Sequence, residues 1–260
     1  MSIRLSAFFL TVMTPILLLS QEPARTDTSP FSIPLHGFVA TGYAWSMEAG
    51  IDNPLPGFWD PSNEGYDSTL GNVSFFTLGF GYRFWKILDV DFNYNFYNTF
   101  HYQKRQTSLT GESGLVRMRF FDLDNQSGML NFSLYPYAIS LGCTRMELIP
   151  FIGMGIGISS NQVSNFYTVG DDVAGVGSTT SIGNPNTTIA FAWQGMGGFR
   201  IHPKNSMLSA DIAYRYYNGG RFVCSNTITS FADNGEQFRG KPWKGVLQTN
   251  QLYFSLNISL

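Results

Sequence analysis

Hydrophobic and polar residues alternate along the last ten positions of the chain, Gln251 to Leu260. The apolar residues share one face of the predicted strand: Leu252, Phe254, Leu256, Ile258 and Leu260. Polar and amphipathic residues take the other face, because side chains alternate sides along a pleated strand. An apolar face that continues to the carboxyl terminus is typical of a strand that closes a membrane barrel, where each backbone group is paired within the protein. We therefore interpret this segment as a C-terminal assembly strand.

The same alternation predicts further strands upstream. The predicted strands cover Leu35–Ser46, Asn72–Phe84, Leu88–Gln103, Gly128–Ser140, Glu147–Ser160, Thr187–Ile201, Met207–Asn218 and Val246–Leu260. Each is near or above the roughly 9–11 residues that a tilted strand needs to cross a bilayer. Long and short connections alternate along the chain, and both ends lie on the side of the short turns, as in outer-membrane barrels.

The predicted fold class is therefore all-β: an eight-stranded antiparallel up-and-down transmembrane β-barrel with four long extracellular loops and three short periplasmic turns. Within the second long connection, residues 114–124 have two interpretations: an extra strand, or the extension of a strand above the membrane. A soluble β-sandwich is the alternative fold, but nothing in a sandwich requires loop lengths to alternate so regularly.

The amino-terminal part of the chain has the pattern of a secretory signal. Arg4 precedes an apolar run that ends at Leu19, and Ser20 is a small residue at a suitable cleavage point. We predict a signal peptide over residues 1–20, a polar segment over 21–34 and the barrel over 35–260. The expected location is the bacterial outer membrane, with membrane lipid and the barrel-assembly machinery as partners.

Composition agrees with a barrel and excludes other classes. Charged residues make up 13% of the chain and aromatic residues 16%, and the net charge is −2. Because there is no basic patch, nucleic acid is not an expected partner. The chain contains too many apolar residues to be disordered. After the signal it has no apolar run long enough to form a membrane-spanning helix.

The charged residues of the predicted strands share the polar face. A charge facing lipid at mid-bilayer would cost about 2–4 kcal/mol, so these side chains are expected to face the lumen. An eight-stranded barrel is only wide enough to be filled by side chains, which predicts a packed plug and no wide pore. The plug is predicted to consist of Arg83, Asp89, Asp91, Arg200, Asp211 and Arg215. We expect Arg83 to pair with Asp89 or Asp91, and Arg200 to pair with Asp211, because unpaired buried charges are costly.

Small and aromatic residues have their own predicted places in the barrel. Glycines on the inward face of the fifth strand are expected to make room for the long charged side chains: Gly153, Gly155 and Gly157. Aromatic residues gather near strand ends and are expected to form two girdles at headgroup level. These residues are Tyr43, Trp45, Phe84, Trp85, Phe100, Tyr102, Tyr214, Tyr216 and Tyr217.

The segment Ile149–Gly157, with the sequence IPFIGMGIG, resembles the P-Y-I-G-A-G-I-G run of opacity-type and OmpA-like eight-stranded outer-membrane barrels. Met129–Phe132 and Ala213–Tyr217 are similar to the fourth and seventh strands of that family. The chain departs from the family at its end, where Leu260 stands in place of the usual Phe. The resemblance implies the same fold and location for the whole mature chain.

No catalytic, cofactor or metal site is expected from the sequence. The run GMGIG lies inside a predicted strand, so it is not a dinucleotide-binding loop. The histidines and cysteines show no metal-ligand spacing. Small outer-membrane barrels include lipid-modifying enzymes, which need a histidine, a serine and an acid at the outer rim. His101 is near the rim but lacks a His-x-Ser pairing, so we predict a protein without enzymatic activity.

The two cysteines, Cys143 and Cys224, are predicted on opposite sides of the membrane. Cys143 follows the fourth predicted strand on the periplasmic side, and Cys224 lies at the base of the fourth long loop. An apolar band of about 25 Å separates the two sides, and a disulfide needs Cα atoms within about 7 Å. We therefore expect two free thiols, with Cys224 accessible from outside.

Function in such a scaffold is usually carried by its long loops. Aromatic and basic residues in these loops are predicted to contact external ligands: Trp59, Arg117, Arg119, Phe166, Tyr167 and Trp243. The predicted function is that of an adhesin-like surface protein with a host or matrix ligand. Two alternatives stay open, a narrow porin for small solutes and a lipid-modifying enzyme of the outer membrane.

Overall fold

The computed structural model describes residues 35–51, 69–84, 87–107, 116–140, 146–171, 178–204, 206–225, 228–231, 237–240 and 242–260. The predicted signal peptide and polar segment lie outside these ranges and stay predictions. No helix in the described ranges is long and apolar enough to cross a bilayer. The strands are β1 Leu35–Ser46, β2 Asn72–Phe84, β3 Leu88–Tyr97, β4 Phe100–Thr107, β5 Val116–Leu134, β6 Ile139–Ser140, β7 Met146–Asp171, β8 Ser178–Gly183, β9 Asn186–Pro203, β10 Leu208–Val223, β11 Ile228–Phe231, β12 Gln237–Gly240 and β13 Lys244–Ser259.

Eight of these strands close into a ring in the order β1, β2, β3, β5, β7, β9, β10 and β13. Each ring strand is antiparallel to both of its neighbours, and the ring closes where β13 pairs with β1. At the end of this seam the Leu260 amide donates to the Leu35 carbonyl at 2.9 Å. Closure leaves no free edge around the ring, as a strand structure in hydrocarbon requires. The predicted eight-stranded antiparallel up-and-down barrel is confirmed.

Side chains of the ring strands alternate between an outer apolar face and a buried interior. On β13, Leu252 and Phe254 are 40% and 41% exposed, whereas Tyr253 between them is buried. The apolar residues of the predicted assembly strand all take outward positions: Leu252, Phe254, Leu256, Ile258 and Leu260. Equivalent exposed residues on other strands include Val39, Phe80, Phe92, Phe132, Ile156, Phe191 and Ile212. So large an apolar belt belongs in contact with the hydrocarbon of a membrane and not with water.

Two ring strands run far beyond the membrane on the side of the long connections, which is the extracellular side. β7 has 26 residues and β5 has 19. At about 3.3 Å per residue and a tilt near 40°, β7 rises roughly 65 Å, against an apolar band of about 25 Å. Residues from 116 onward therefore extend a ring strand above the membrane, which was one of the two interpretations of segment 114–124.

The upper parts of β5 and β7 join β4, β8, β11 and β12 in an open sheet with the order β4, β5, β7, β8, β11 and β12. We call this structure the extracellular sheet. Much of the sequence predicted as extracellular loop is therefore paired strand. The short strands were missed because their polar sequences lack the strong apolar alternation of the membrane-spanning segments.

The predicted strand Leu88–Gln103 is interrupted at Asn98 and Thr99. β3 ends at Tyr97 and β4 begins at Phe100, and both of these aromatic side chains are buried. A shift of one residue in a strand moves every later side chain to the opposite face. The outward orientation predicted for Phe100 is therefore wrong.

The predicted aromatic girdles are only partly correct. Phe100, Tyr102 and Tyr217 are almost completely buried inside the barrel. Tyr43 and Tyr214 do face outward, with 49% and 52% of their surfaces exposed. The buried rings fill the extracellular half of the lumen, which the sequence pattern predicted to be polar.

Candidate functional site

The periplasmic half of the lumen contains a buried ion-pair network. Arg83 on β2 donates from Nε and Nη2 to the two carboxylate oxygens of Asp89 on β3, at 2.6 and 2.8 Å. Arg200 on β9 binds Asp211 on β10 in the same bidentate manner, at 2.7 and 2.9 Å. Both pairs are register neighbours on adjacent strands. Arg200 also donates to Asp89 across the lumen at 3.2 Å, which joins the two pairs. Such charge-assisted, paired bonds hold an arginine in one orientation.

Asp91, the third carboxylate of the predicted plug, has an amide partner and forms no ion pair with an arginine in the described part of the chain. Its carboxylate accepts from Asn131 Nδ2 at 2.7 Å, and Asn131 Oδ1 accepts from Gln194 Nε2 at 2.6 Å. A cavity of about 30 Å³ adjoins Asp91 and Arg200. That volume holds about two water molecules.

A second layer of the lumen is centred on Arg215, which is completely buried. This side chain has no ion pair with a described carboxylate. Its Nε donates to Gln251 Oε1 at 2.6 Å and its Nη1 to Asn95 Oδ1 at 3.2 Å. Its guanidinium also lies over the rings of Phe75 and Tyr253, at 4.7 and 5.0 Å. Amide oxygens and two ring faces therefore stabilise this charge. The predicted plug did not include Asn95 and Gln251, although the alternation of faces along their strands places both side chains in the lumen.

The third layer lies at the extracellular end and is formed by aromatic side chains around Arg119. The Arg119 guanidinium lies 2.9 Å from the centroid of the Trp243 ring. Phe166 meets the same indole edge to face, at 5.4 Å between centroids. Arg119, Phe166 and Trp243 are at most 4% exposed. The prediction that these three side chains contact external ligands as exposed loop residues is wrong, because they pack against each other inside the barrel end.

The remaining loop residues have different outcomes. Tyr167 is 38% exposed and stacks on Phe120, with 4.6 Å between ring centroids. Its predicted role in ligand contact stays a prediction. Arg117 belongs to β5, but its side chain is outside what the structure describes, and so is the whole of Trp59.

The inward glycines of β7 make room for side chains of neighbouring strands. A Cβ on Gly155 would overlap Asn131 Oδ1, and one on Gly153 would lie 2.6 Å from Ser133 Oγ. Gly157 is closed in by the backbone of Gly128 and by Met129. The long charged side chains expected next to these glycines are therefore replaced by short amide and hydroxyl groups of β5.

His101, which the sequence analysis placed near the outer rim, lies on the outer surface of the extracellular sheet. His101 Nδ1 lies 2.6 Å from Asp122 Oδ1, and Asn165 Nδ2 donates to Asp122 Oδ2 at 2.7 Å. In the described part of the chain no serine hydroxyl bonds to His101. No group of three or more His, Cys, Asp or Glu side chains there is arranged for a metal ion.

Cys224 is not in a disulfide, and its side chain is fully buried. Burial raises the pKa of the Cys224 thiol to about 12. The predicted accessibility of this thiol from outside is therefore wrong, because Cys224 is completely buried. Cys143 lies outside the described residues.

A closed ring of eight strands, an apolar outer belt and a charged interior define an outer-membrane β-barrel. The predicted location is thereby confirmed. No protein-family model matches the sequence, and a comparison with curated protein sequences found no match.

Solved structures with a similar fold include the following three. Neisserial surface protein A matches with 11% identity and a TM-score of 0.40, over 87% of this chain and 97% of its own. The outer membrane protein OprG from Pseudomonas aeruginosa matches with 11% identity and a TM-score of 0.47, over 88% and 98%. The outer membrane protease OmpT from Escherichia coli matches with 8% identity and a TM-score of 0.36, over 92% and 100%.

Proposed function

We propose that this protein is a non-conducting surface protein of the outer membrane that binds an external ligand, such as a host or matrix component, with its extracellular end. The observation that carries the proposal is the extracellular sheet, which continues the barrel wall upward and is fixed by the buried contacts of Arg119, Phe166 and Trp243. A rigid frame that projects above the membrane presents its connections in a defined arrangement.

The filled lumen supports a binding role over a narrow porin. Arg200 reaches across the periplasmic half, Arg215 occupies the middle, and Trp243 packs at the outer end. A solute would have to displace buried, hydrogen-bonded charges at two of these levels, and each such displacement is costly. In planar bilayers we expect no steady conductance from the wild-type protein. Large, long-lived channels would favour the porin alternative.

The ligand-binding part of the proposal can be tested on intact cells. Replacing residues 226–241, which include the β11 and β12 hairpin, by a short glycine-containing turn removes one end of the extracellular sheet. We expect attachment to immobilised matrix proteins to fall, while the barrel still migrates as a folded species on an unboiled detergent gel. A matched control is a change at Ser206 in the periplasmic turn. Undiminished attachment by a correctly folded hairpin variant would contradict the proposal.

A further inference from the structure

The outward side of the extracellular sheet carries an apolar patch that is separate from the lipid-facing belt. Phe120 on β5, Tyr167 on β7 and Ile182 on β8 are register neighbours in one row across three strands. The next row pairs Met118 with Val169. We call these five residues the outer flank. The Phe120 and Tyr167 rings stack with an interplanar angle of 14°, and Ile182 is 46% exposed.

A polar zone separates the outer flank from the lipid belt below. Its side chains are paired with one another: Asp122 with His101 and Asn165, and Asp124 with the Thr99 hydroxyl at 2.6 Å. These carboxylates have internal partners, so the zone presents hydrogen-bonding groups whose positions are already fixed. Neighbouring donors and acceptors of this kind suit hydroxyl-rich ligands.

The height of the outer flank decides which molecules of the membrane can reach it. Ile158 is the last large apolar residue on the outward face of β7 below the polar zone, and Tyr167 lies nine residues beyond it. At about 3.3 Å per residue and a tilt near 40°, Tyr167 lies roughly 20 Å above the belt. A phospholipid headgroup region is only about 5–7 Å thick on each side. Phospholipid headgroups therefore end well below the outer flank, whereas the oligosaccharide of a glycolipid extends to this height.

The chemistry of the patch matches a saccharide. Sugar rings have an apolar face of C–H groups that packs on flat aromatic surfaces, and hydroxyls around their edge that bond to polar side chains. The stacked pair of Phe120 and Tyr167 is a flat, partly exposed surface, and the Tyr167 ring carries a hydroxyl at its edge. His101 and Asn165 supply polar contacts directly below. Exposed apolar patches rimmed by polar residues mark interaction sites.

We propose that the outer flank binds the oligosaccharide of the glycolipid that surrounds the barrel in the outer leaflet, namely the core sugars of lipopolysaccharide. The outer flank lies on the same outward side of β5 and β7 as the lipid-facing belt, so its neighbour in the membrane is the upper part of the same lipid layer. This inference goes beyond the proposed function, because its ligand belongs to the bacterium's own membrane and approaches from the side of the barrel.

The test uses the purified, folded protein in detergent and two probes. One is lipopolysaccharide that carries the core oligosaccharide, and the other is lipid A without it. Binding is measured by the rise in thermal unfolding temperature as each probe is titrated. We expect core-bearing lipopolysaccharide to bind at least tenfold more tightly than lipid A. Tyr167→Ser and Phe120→Ser should each remove most of this difference, and Tyr214→Ser on the lipid-facing belt should not.

Three outcomes would overturn the proposal. Equal binding of the two probes would assign recognition to the lipid or its phosphates. An unchanged preference in both flank variants would assign sugar binding to another surface. Self-association of the wild-type protein without lipopolysaccharide, abolished by Tyr167→Ser, would show that a second copy of the chain covers the outer flank. Attachment by the extracellular end is measured separately, so failure here leaves the proposed function intact.

Discussion

Removing the charge of Arg200 should destabilise the barrel more than any single surface change. The side chain is 4% exposed and makes bonds of 2.7 and 2.9 Å to Asp211 and one of 3.2 Å to Asp89. In Arg200→Met, Asp89 keeps Arg83 as its partner, but Asp211 is left buried without a cation. Breaking a buried pair from one side costs about 3–5 kcal/mol, mainly from the uncompensated charge.

Urea unfolding of the refolded protein in phospholipid vesicles, followed by tryptophan fluorescence, measures this cost. The double variant Arg200→Met with Asp211→Leu removes both charges. Its loss of unfolding free energy should therefore be smaller than the sum of the losses in the two single variants, by on the order of 2 kcal/mol. Arg221→Met is the matched control, because Arg221 is exposed and its replacement should cost within about 0.5 kcal/mol. Single losses below about 1 kcal/mol, or additive losses, would refute a tightly coupled ion-pair network.

Three further predictions concern other levels of the barrel. Phe254→Arg should lower the free energy of unfolding by about 2–4 kcal/mol in the same urea assay. Ile258→Arg, nearer the end of the strand, should lower it by about 0–1 kcal/mol. Equal losses would mean that the position assigned to the apolar belt is wrong. Gly155→Ala should lower stability by about 1–3 kcal/mol, because its Cβ would overlap a neighbouring side chain. Gly195→Ala, with no atom within 4 Å of the added Cβ, should not. Cys224 should resist an impermeant maleimide between pH 7 and 9 until the protein unfolds, because burial raises its pKa to about 12; rapid labelling of the folded protein would contradict its burial.

The ring strands could be predicted because each has to separate two environments. A residue such as Phe254 has lipid on its side of the strand, and Ser255 has the lumen. Every membrane-spanning strand must therefore alternate apolar and polar residues with a period of two. This alternation identifies the strand and its two faces from the sequence alone. The pairing of Arg200 with Asp211 follows the same logic, since both lie inward near the end of one hairpin.

The extracellular end could not be predicted in the same way, because no bilayer imposes a pattern there. Arg119 and Trp243 lie in segments that are distant in sequence, and their contact depends on how β5 and β13 are placed around the ring. The Phe100 side chain points inward because the chain has one extra residue beside Asn98. Alternation alone does not reveal this extra residue. In these segments the exposed and the buried residues are of the same aromatic and basic types, so the sequence pattern alone does not distinguish them.

The bond from Arg200 to Asp89 also limits the order in which the chain can assemble. Asp89 lies on the third ring strand and Arg200 on the sixth, and these strands are not neighbours in the sheet. A growing sheet that is still open holds the two side chains apart, with each charge still accessible to water. The contact forms only when the ring curls shut, so the completion of the β1 and β13 seam and the loss of lumen water belong to the same late step. A mutation at either residue should therefore slow the last stage of insertion while leaving earlier strand pairing intact.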